Sequence, residues 1–240
     1  MSDAPDTSPS SEWGSRDTGA QANRVQRQVA RAGAANGGAG TGDLFAEPVL
    51  VVNQKVKLIE LTNEYTVFDQ HGTQIGFVAE VNQSALKKAA RFVTSLDQFM
   101  THTYEIRDAQ HHPRLVLTRP RKIVKSRFQL ARADGAPVGE ITQKNVFGKI
   151  RFSLSANGVE VGSLNAENWR AWNFNIQDAS GTEVARITKT WEGLAKTLFT
   201  TADNYVVQLH RPLDEPLRSL AITAALCVDT ALKQDNRGLG

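Results

Sequence analysis

The sequence predicts an all-β protein with a central helix, in which a closed antiparallel barrel of about twelve strands surrounds a buried C-terminal α-helix. Three observations predict it: alternating apolar and polar runs recur along the main body, short turns that mostly contain glycine join them in pairs, and a nearly uncharged apolar segment follows the last run. Closure removes the two open edges of so wide a sheet. A barrel of more than eight strands also leaves room for a helix about 10 Å across.

The first 43 residues differ in composition from the rest, being rich in Ser, Ala, Gly, Asp and Asn. Such a segment buries too little apolar surface to offset its ordering entropy. We therefore predict a disordered tail and Gly-rich linker over 1–43, a barrel domain over 44–235 and a flexible end over 236–240. An alternative for 21–32 is a weak basic helix, with Val25 and Val29 on one side, that contacts a membrane or a protein partner.

The barrel domain is predicted as strands joined by hairpins. Asp-Gly and Asn-Gly between period-2 runs are the strongest short hairpin signal. Single strands are expected at 49–52, 55–61 and 204–209, and a short surface helix at 86–91 within the interruption 84–99. The five hairpins are expected over 65–78, 104–117, 128–141, 152–164 and 174–187.

The last apolar segment reads as one helix, with Asp214 as its N-cap and Pro216 in its first turn. It has no charge from Ser219 to Val228, so it is buried either in protein or in lipid. A membrane span needs about 20 apolar residues, and this run is roughly half that long. A core helix is the favoured reading, with a membrane anchor as the alternative, and Cys227 within it is expected to be a buried, inert thiol.

Composition narrows the class of protein. The N-terminus has no secretory signal, and a single cysteine excludes an internal disulfide, which fits a reducing cytoplasm. The sequence has no phosphate-binding glycine loop, no nucleophile elbow and no paired carboxylates at a defined spacing. We therefore predict no catalytic residues and a protein that is not an enzyme.

Two motifs lie near the C-terminus: residues 187–193 read I-T-K-T-W-E-G, and residues 199–209 read F-T-T-A-D-N-Y-V-V-Q-L. They resemble the I-x-K-x-W-x-G strand end and the F-T-D-A-D-N-F-x-I-Q-F segment of the phospholipid scramblase family, a branch of the Tubby-like superfamily. Pro212–Asp214 precedes the terminal helix as in that family, and Asp229 matches the acid near the end of that helix. The resemblance spans about residues 45 to 233.

The resemblance implies a Ca²⁺ loop in the second motif. Thr201 stands where the family has the first acid, which leaves Asp203, Asp214 and backbone carbonyls as candidate ligands. Ca²⁺ takes six to eight oxygens, several of them from carboxylates. The alternative is that Asp203 begins a turn into the last strand, and no other cofactor is expected.

A run of cations without an acid is the candidate binding site. Such a run attracts anionic lipid headgroups, and it can equally attract nucleic-acid phosphates or form a solvated strand face. Tubby-like domains bind phosphoinositides through basic surface residues, so the resemblance favours lipid over nucleic acid. The candidate lipid-binding residues are Arg114, Arg119, Arg121, Lys122, Lys125 and Arg127.

These readings predict a scramblase-like protein that binds anionic phospholipids at a membrane surface and takes part in their transbilayer movement. Its expected location is the cytoplasm, peripheral to the inner face of the plasma membrane. The alternative is a soluble Tubby-like barrel that binds a ligand or a protein and has no membrane role.

Overall fold

The computed structural model of the chain describes residues 10–34, 38–54, 64–81, 101–121, 125–145, 148–168, 173–190 and 204–237. In this part of the chain twelve antiparallel strands form one closed barrel, as predicted. Each strand pairs with its neighbours in sequence, and the first strand closes the barrel on the last. The strands are β1 (Val49–Gln54), β2 (Glu64–Phe68), β3 (Gln74–Val81), β4 (His102–Asp108), β5 (Pro113–Arg119), β6 (Arg127–Arg132), β7 (Pro137–Gln143), β8 (Arg151–Ala156), β9 (Val159–Ala166), β10 (Asn173–Asp178), β11 (Glu183–Thr190) and β12 (Asn204–Leu209).

All five predicted hairpins are present, from β2–β3 to β10–β11. Their turns use glycine where the backbone needs a positive φ, as at Gly135 (88°) and Gly158 (77°). The strand predicted at 55–61 and the helix predicted at 86–91 lie outside the described residues.

The up-and-down order gives the barrel two different ends. We call the end that carries the tight turns at 69–73, 109–112, 133–136, 157–158 and 179–182 the turn end. The opposite end, where β1, β3, β5, β7, β9 and β11 finish, is the loop end. Longer connections join the strands there.

A helix, which we call α2 (Leu217–Arg237), fills the barrel. It begins at the turn end, and its residues from Ser219 to Ala231 are all buried. Its first turn differs from the prediction. The helix begins after Pro216, the carbonyl oxygen of Asp214 accepts the N–H of Arg218 at 3.0 Å, and Glu215 Oε2 accepts the N–H of Ser219 at 3.4 Å.

Two strand glycines let this helix approach the wall. A Cβ built on Gly139 would lie 3.3 Å from Leu220 Cδ1, and one on Gly162 would lie 3.2 Å from Leu217 Cδ1. Glycine inside a strand marks such close approaches. The barrel interior therefore has the helix as its core, and small residues on the wall set the fit.

The N-terminal segment differs from the expected disordered tail. A helix, α1 (Ser10–Ala32), lies against the outside of the barrel. Val25 and Val29 pack with Val49, Val51 and Val206 on the outer face of β1 and β12. Burial of this apolar stripe offsets the ordering entropy of the segment, so the alternative of a helix with both valines on one side describes it better. The domain boundaries at 43/44 and 235/236 stay predictions.

Cys227 provides a direct test of the buried helix. Its side chain is fully buried, and burial raises the pKa of its thiol well above the ordinary value. Exposure requires opening of the barrel, so we expect alkylation to be slower in the native protein than in denaturant by about a thousandfold or more. Mass spectrometry of timed iodoacetamide reactions would measure this, and fast native labelling would contradict the enclosed helix.

Candidate functional site

The six predicted lipid-binding residues do not form one surface. Arg114 lies at the turn end, with its guanidinium 5.2 Å from the centre of the Phe45 ring and 3.6 Å from Asp108 Oδ2. Arg127 lies on the outer face of β6 and forms a bidentate ion pair with Glu140, at 2.5 and 3.2 Å. Lys122 lies outside the described residues.

Arg119 is a correction to the predicted patch, because it points into the barrel. Only 2% of its surface is exposed. It faces inward together with Leu115 and Leu117, and its partner in register on β4 is the buried His102. His102 Nδ1 lies 2.5 Å from Glu80 Oε1. Arg119 thus belongs to a buried polar cluster near the loop end and does not face a membrane surface.

The other two described members of the predicted six lie at the loop end. Arg121 and Lys125 belong to the connection between β5 and β6, and they are joined there by cations of the next loop-end connection along the wall. Lys125 Nζ donates to the carbonyl oxygen of Lys144 at 2.6 Å. Ser126 and Gln143 tie the same two connections together through two hydrogen bonds, at 2.9 and 3.0 Å. We call this surface the basic rim, formed by Arg121, Lys125, Lys144, Lys149 and Arg151.

One acid partly neutralises the basic rim, since Lys144 Nζ lies 3.6 Å from Glu160 Oε2. In the described part of the chain, no carboxylate lies within ion-pair distance of Arg121, Lys149 or Arg151. The rim therefore carries a net positive charge that faces solvent.

A polar groove runs from the basic rim down the outer wall across β8, β9 and β10. Its volume is about 610 Å³. Arg151, Asn165 and Asn175 stand side by side in register on its floor. The lining residues are Asn145, Lys149, Arg151, Asn165, Ala166, Glu167, Asn175 and Gln177.

A second buried group holds the far part of α2 in place. Asp229 accepts hydrogen bonds from the hydroxyls of Tyr65, at 2.5 Å, and Tyr205, at 3.1 Å. Burial first, and the Asp229 carboxylate second, raise the pKa of Tyr65 well above its ordinary value, so this hydroxyl stays protonated and donates. The three side chains fix the helix to the strands near the loop end.

Only one of the two predicted Ca²⁺ ligands belongs to the described part of the chain. Asp203 lies outside the described residues, and the exposed Asp214 follows β12 at the turn end. No group of three or more His, Cys, Asp or Glu that could hold a metal occurs among the described residues, and calcium binding stays a prediction.

Residues 32–232 match the protein-family model described as Scramblase. The chain belongs to the scramblase family. The match includes the whole barrel and most of α2 of this scramblase domain, so the resemblance seen in the two C-terminal motifs is confirmed.

Two relatives of this scramblase domain share less than a quarter of their aligned residues with it. A phospholipid scramblase family protein of Schizosaccharomyces pombe is 24% identical over 184 residues, which is 69% of this chain and 47% of the yeast protein. Human phospholipid scramblase 2 is 22% identical over 205 residues, 75% of this chain and 66% of the human protein. The match thus spans about half of one relative and two thirds of the other. A crystal structure of an Arabidopsis thaliana protein aligns with a TM-score of 0.44 and 13% identity, over 80% of this chain and 96% of that one.

In the described part of the scramblase domain, neither helix combines the length and the apolar character that a membrane crossing needs.

Sequence reasoning found two members of the basic rim among its candidates, Arg121 and Lys125, but it missed the groove. The amide side chains of the groove occupy alternate, outward positions of their strands, as ordinary solvated residues do, so the sequence does not distinguish them. Only the pairing of β8, β9 and β10 brings them together.

Proposed function

We propose that this scramblase domain binds anionic phospholipids at a membrane surface through the basic rim at its loop end, and that this binding serves transbilayer movement of phospholipid. The observation that carries the proposal is that four exposed cations of two neighbouring connections lie at one end of the barrel with Arg151 at the start of β8. Lys125 Nζ joins the two connections by its bond to the carbonyl oxygen of Lys144. The two relatives named as phospholipid scramblases support a lipid partner.

The charge distribution favours a membrane in contact with the loop end. Each cation near an anionic surface contributes about 1 kcal/mol. The opposite end offers less free positive charge, since Arg114 lies beside Asp108 and Arg211 Nη2 lies 2.9 Å from Asp178 Oδ2. We propose that the anionic inner face of the plasma membrane is the surface contacted, and that the protein is peripheral to it.

Charge reversal tests the proposal with a matched control. Replacing two rim cations (Arg121→Glu with Lys125→Glu) is expected to weaken binding to vesicles of phosphatidylserine and phosphatidylcholine by roughly thirtyfold or more. The control reverses two cations at the turn end (Arg114→Glu with Arg132→Glu), which changes the net charge equally and should leave most of the affinity. Vesicle co-sedimentation at fixed ionic strength measures both.

Equal losses in the two variants would show that net charge alone drives binding and would remove the basic rim from the account. No binding of the unmodified chain to anionic vesicles would favour the soluble barrel that binds a ligand or a protein. Once vesicle binding holds, a dithionite quenching assay on vesicles with fluorescent lipid tests transbilayer movement. That the chain is not an enzyme stays a prediction.

A further inference from the structure

The floor of the groove below the basic rim presents two carboxamides in a fixed arrangement. Asn165 Nδ2 donates to Ser163 Oγ at 3.0 Å and to Asn175 Oδ1 at 3.2 Å. These two bonds use both amide hydrogens of Asn165 and leave its Oδ1 as an acceptor, while Asn175 keeps its Nδ2 as a donor. Among the described residues, neither of these two atoms has a hydrogen-bond partner. The floor therefore offers one acceptor and one donor side by side.

An acceptor beside a donor matches the main chain of an extended polypeptide. In a strand, the N–H and the C=O of one residue point to the same edge, and a paired residue exchanges both bonds there. Asn165 Oδ1 can accept such an N–H, and Asn175 Nδ2 can donate to the C=O of the same residue. A phosphodiester has only acceptors, so it can use the donor of this pair but not the acceptor.

The rim end of the groove adds positive charge. Asn145 Nδ2 donates to the carbonyl oxygen of Lys149 at 2.8 Å, and Asn145 Oδ1 accepts the N–H of Arg151 at 2.9 Å, so both cations are held there. Neither has a carboxylate within ion-pair distance in the described part of the chain. Glu167 is the one acid among the described lining residues, and Arg186 Nη1 lies 2.8 Å from its Oε1. The two cations are therefore available to hold a carboxylate.

Spacing relates the carboxamides to the cations. Arg151 pairs in register with Asn165, and Asn165 pairs in register with Asn175. Neighbouring strands lie about 4.8 Å apart, so the midpoint between the two carboxamides stands about 7 Å from Arg151. An extended chain rises about 3.3 Å per residue. A carboxylate about two residues away from the residue bound by the carboxamides would therefore reach the cations.

We propose that this groove is a docking site for an acidic, extended segment of another protein. Its carboxylate binds Lys149 and Arg151, and the N–H and C=O of one of its residues bind Asn165 and Asn175. The described lining contains no large apolar side chain, so recognition rests on charge and on the main chain. The proposal goes beyond the proposed function and does not depend on it, because the carboxamides lie on the barrel wall and not on the basic rim.

Fluorescence anisotropy with three labelled, terminally blocked octapeptides tests the proposal on the whole chain. The first probe combines valine, threonine and serine with two aspartates. The second has asparagine in place of both aspartates, and we expect it to bind about tenfold more weakly because it lacks the charge. The third keeps the aspartates but carries methyl groups on alternate peptide nitrogens. We expect it to bind about fivefold more weakly, because fewer of its peptide groups can donate to Asn165 Oδ1.

Four variants locate the site. Arg151→Gln is expected to weaken the first probe by about tenfold, and Asn175→Ala by about fivefold. Asn165→Ala should remove the difference between the first and third probes, since the acceptor is then missing for both. Gln129→Ala changes an exposed amide on the outer face of β6, so it is the matched control and should change nothing. The three probes on the unmodified chain decide the same question without any substitution.

Equal affinity for the first and third probes overturns the proposal, because charge alone then holds the peptide. An unchanged affinity in Asn175→Ala, or no binding of the first probe, overturns it as well. If myo-inositol 1-phosphate binds more tightly than the first probe and Asn175→Ala weakens it equally, the groove takes a lipid headgroup and the protein partner is excluded.

The proposed membrane function is judged by separate measurements. Asn175→Ala should leave the affinity for anionic vesicles unchanged, since it removes no cation. The rim variant (Arg121→Glu with Lys125→Glu) should lose vesicle affinity and keep most of its affinity for the first probe. Failure of peptide binding with intact vesicle binding thus overturns the groove proposal alone.

Discussion

Replacing Asp229 with alanine is expected to lower the free energy of unfolding by about 3–5 kcal/mol, since it removes one partner from a buried, hydrogen-bonded set. The carboxylate accepts the hydroxyls of Tyr65 and Tyr205, which are 3% and 1% exposed. Without it, both hydroxyls stay buried in the barrel without their acceptor. Urea unfolding followed by far-UV circular dichroism measures the loss.

Two further variants separate the hydrogen bonds from the packing. Asp229→Asn keeps the shape and one carbonyl acceptor, so its loss should be clearly smaller than that of the alanine variant. Replacing all three groups (Tyr65→Phe, Tyr205→Phe and Asp229→Leu) removes donors and acceptor together, and we expect it to recover much of the stability. If Asp229→Ala unfolds at the same urea concentration as the unmodified chain, the bonds between helix and strands carry little stability.

Substitution of Gly162 by alanine is expected to cost about 3 kcal/mol or more, or to prevent folding, because the added methyl group meets backbone. The added Cβ would clash with the carbonyl oxygen of Gln177 on β10. It would also lie 3.2 Å from Leu217 Cδ1 of α2. A rotamer change can move the leucine, but only separation of β9 from β10 can move the carbonyl. Thermal unfolding of the purified variant measures the effect.

Gly19→Ala is the matched control. This exposed glycine lies in α1, and a Cβ built on it meets nothing within 4 Å. Alanine at a helix interior is favoured over glycine by up to about 1 kcal/mol, so this variant should be as stable as the unmodified chain or slightly more stable. Equal stability of the two alanine variants would contradict the close contact between strand and helix at Gly162.

The strands and the buried helix were predictable because their signals are local. Period-2 runs identified all five hairpins, four of them with a glycine in the turn, and the short uncharged run from Ser219 to Val228 indicated a core helix. Two local signals were also present for features that the sequence analysis missed. Leu115, Leu117 and Arg119 are alternate residues of β5. Alternate residues of a strand point to the same face, so Arg119 lies on the inward face with the two leucines. The continuous apolar run Val49–Val52 is typical of a strand buried on both faces, as α1 makes β1.

The candidate site was only partly predictable, because it depends on which connections meet. Arg121 and Lys125 were identified from the run of cations, but that run also contains Arg114, which the hairpin carries to the opposite end of the barrel. Lys149 and Arg151 joined the rim only through the pairing of β6, β7 and β8. Asn165 and Asn175 are ten residues apart in sequence and become neighbours through the register of β9 and β10.

By itself, the sequence determined the type of each element, the up-and-down order of the strands, the burial of the last helix and the resemblance to the scramblase family. Those features depend on side-chain alternation and turn residues within a few positions of one another. The tertiary structure alone decided which cations share an end, which arginine lies inside and which amides line the groove. These depend on barrel closure and strand register, which bring together residues that no local pattern links.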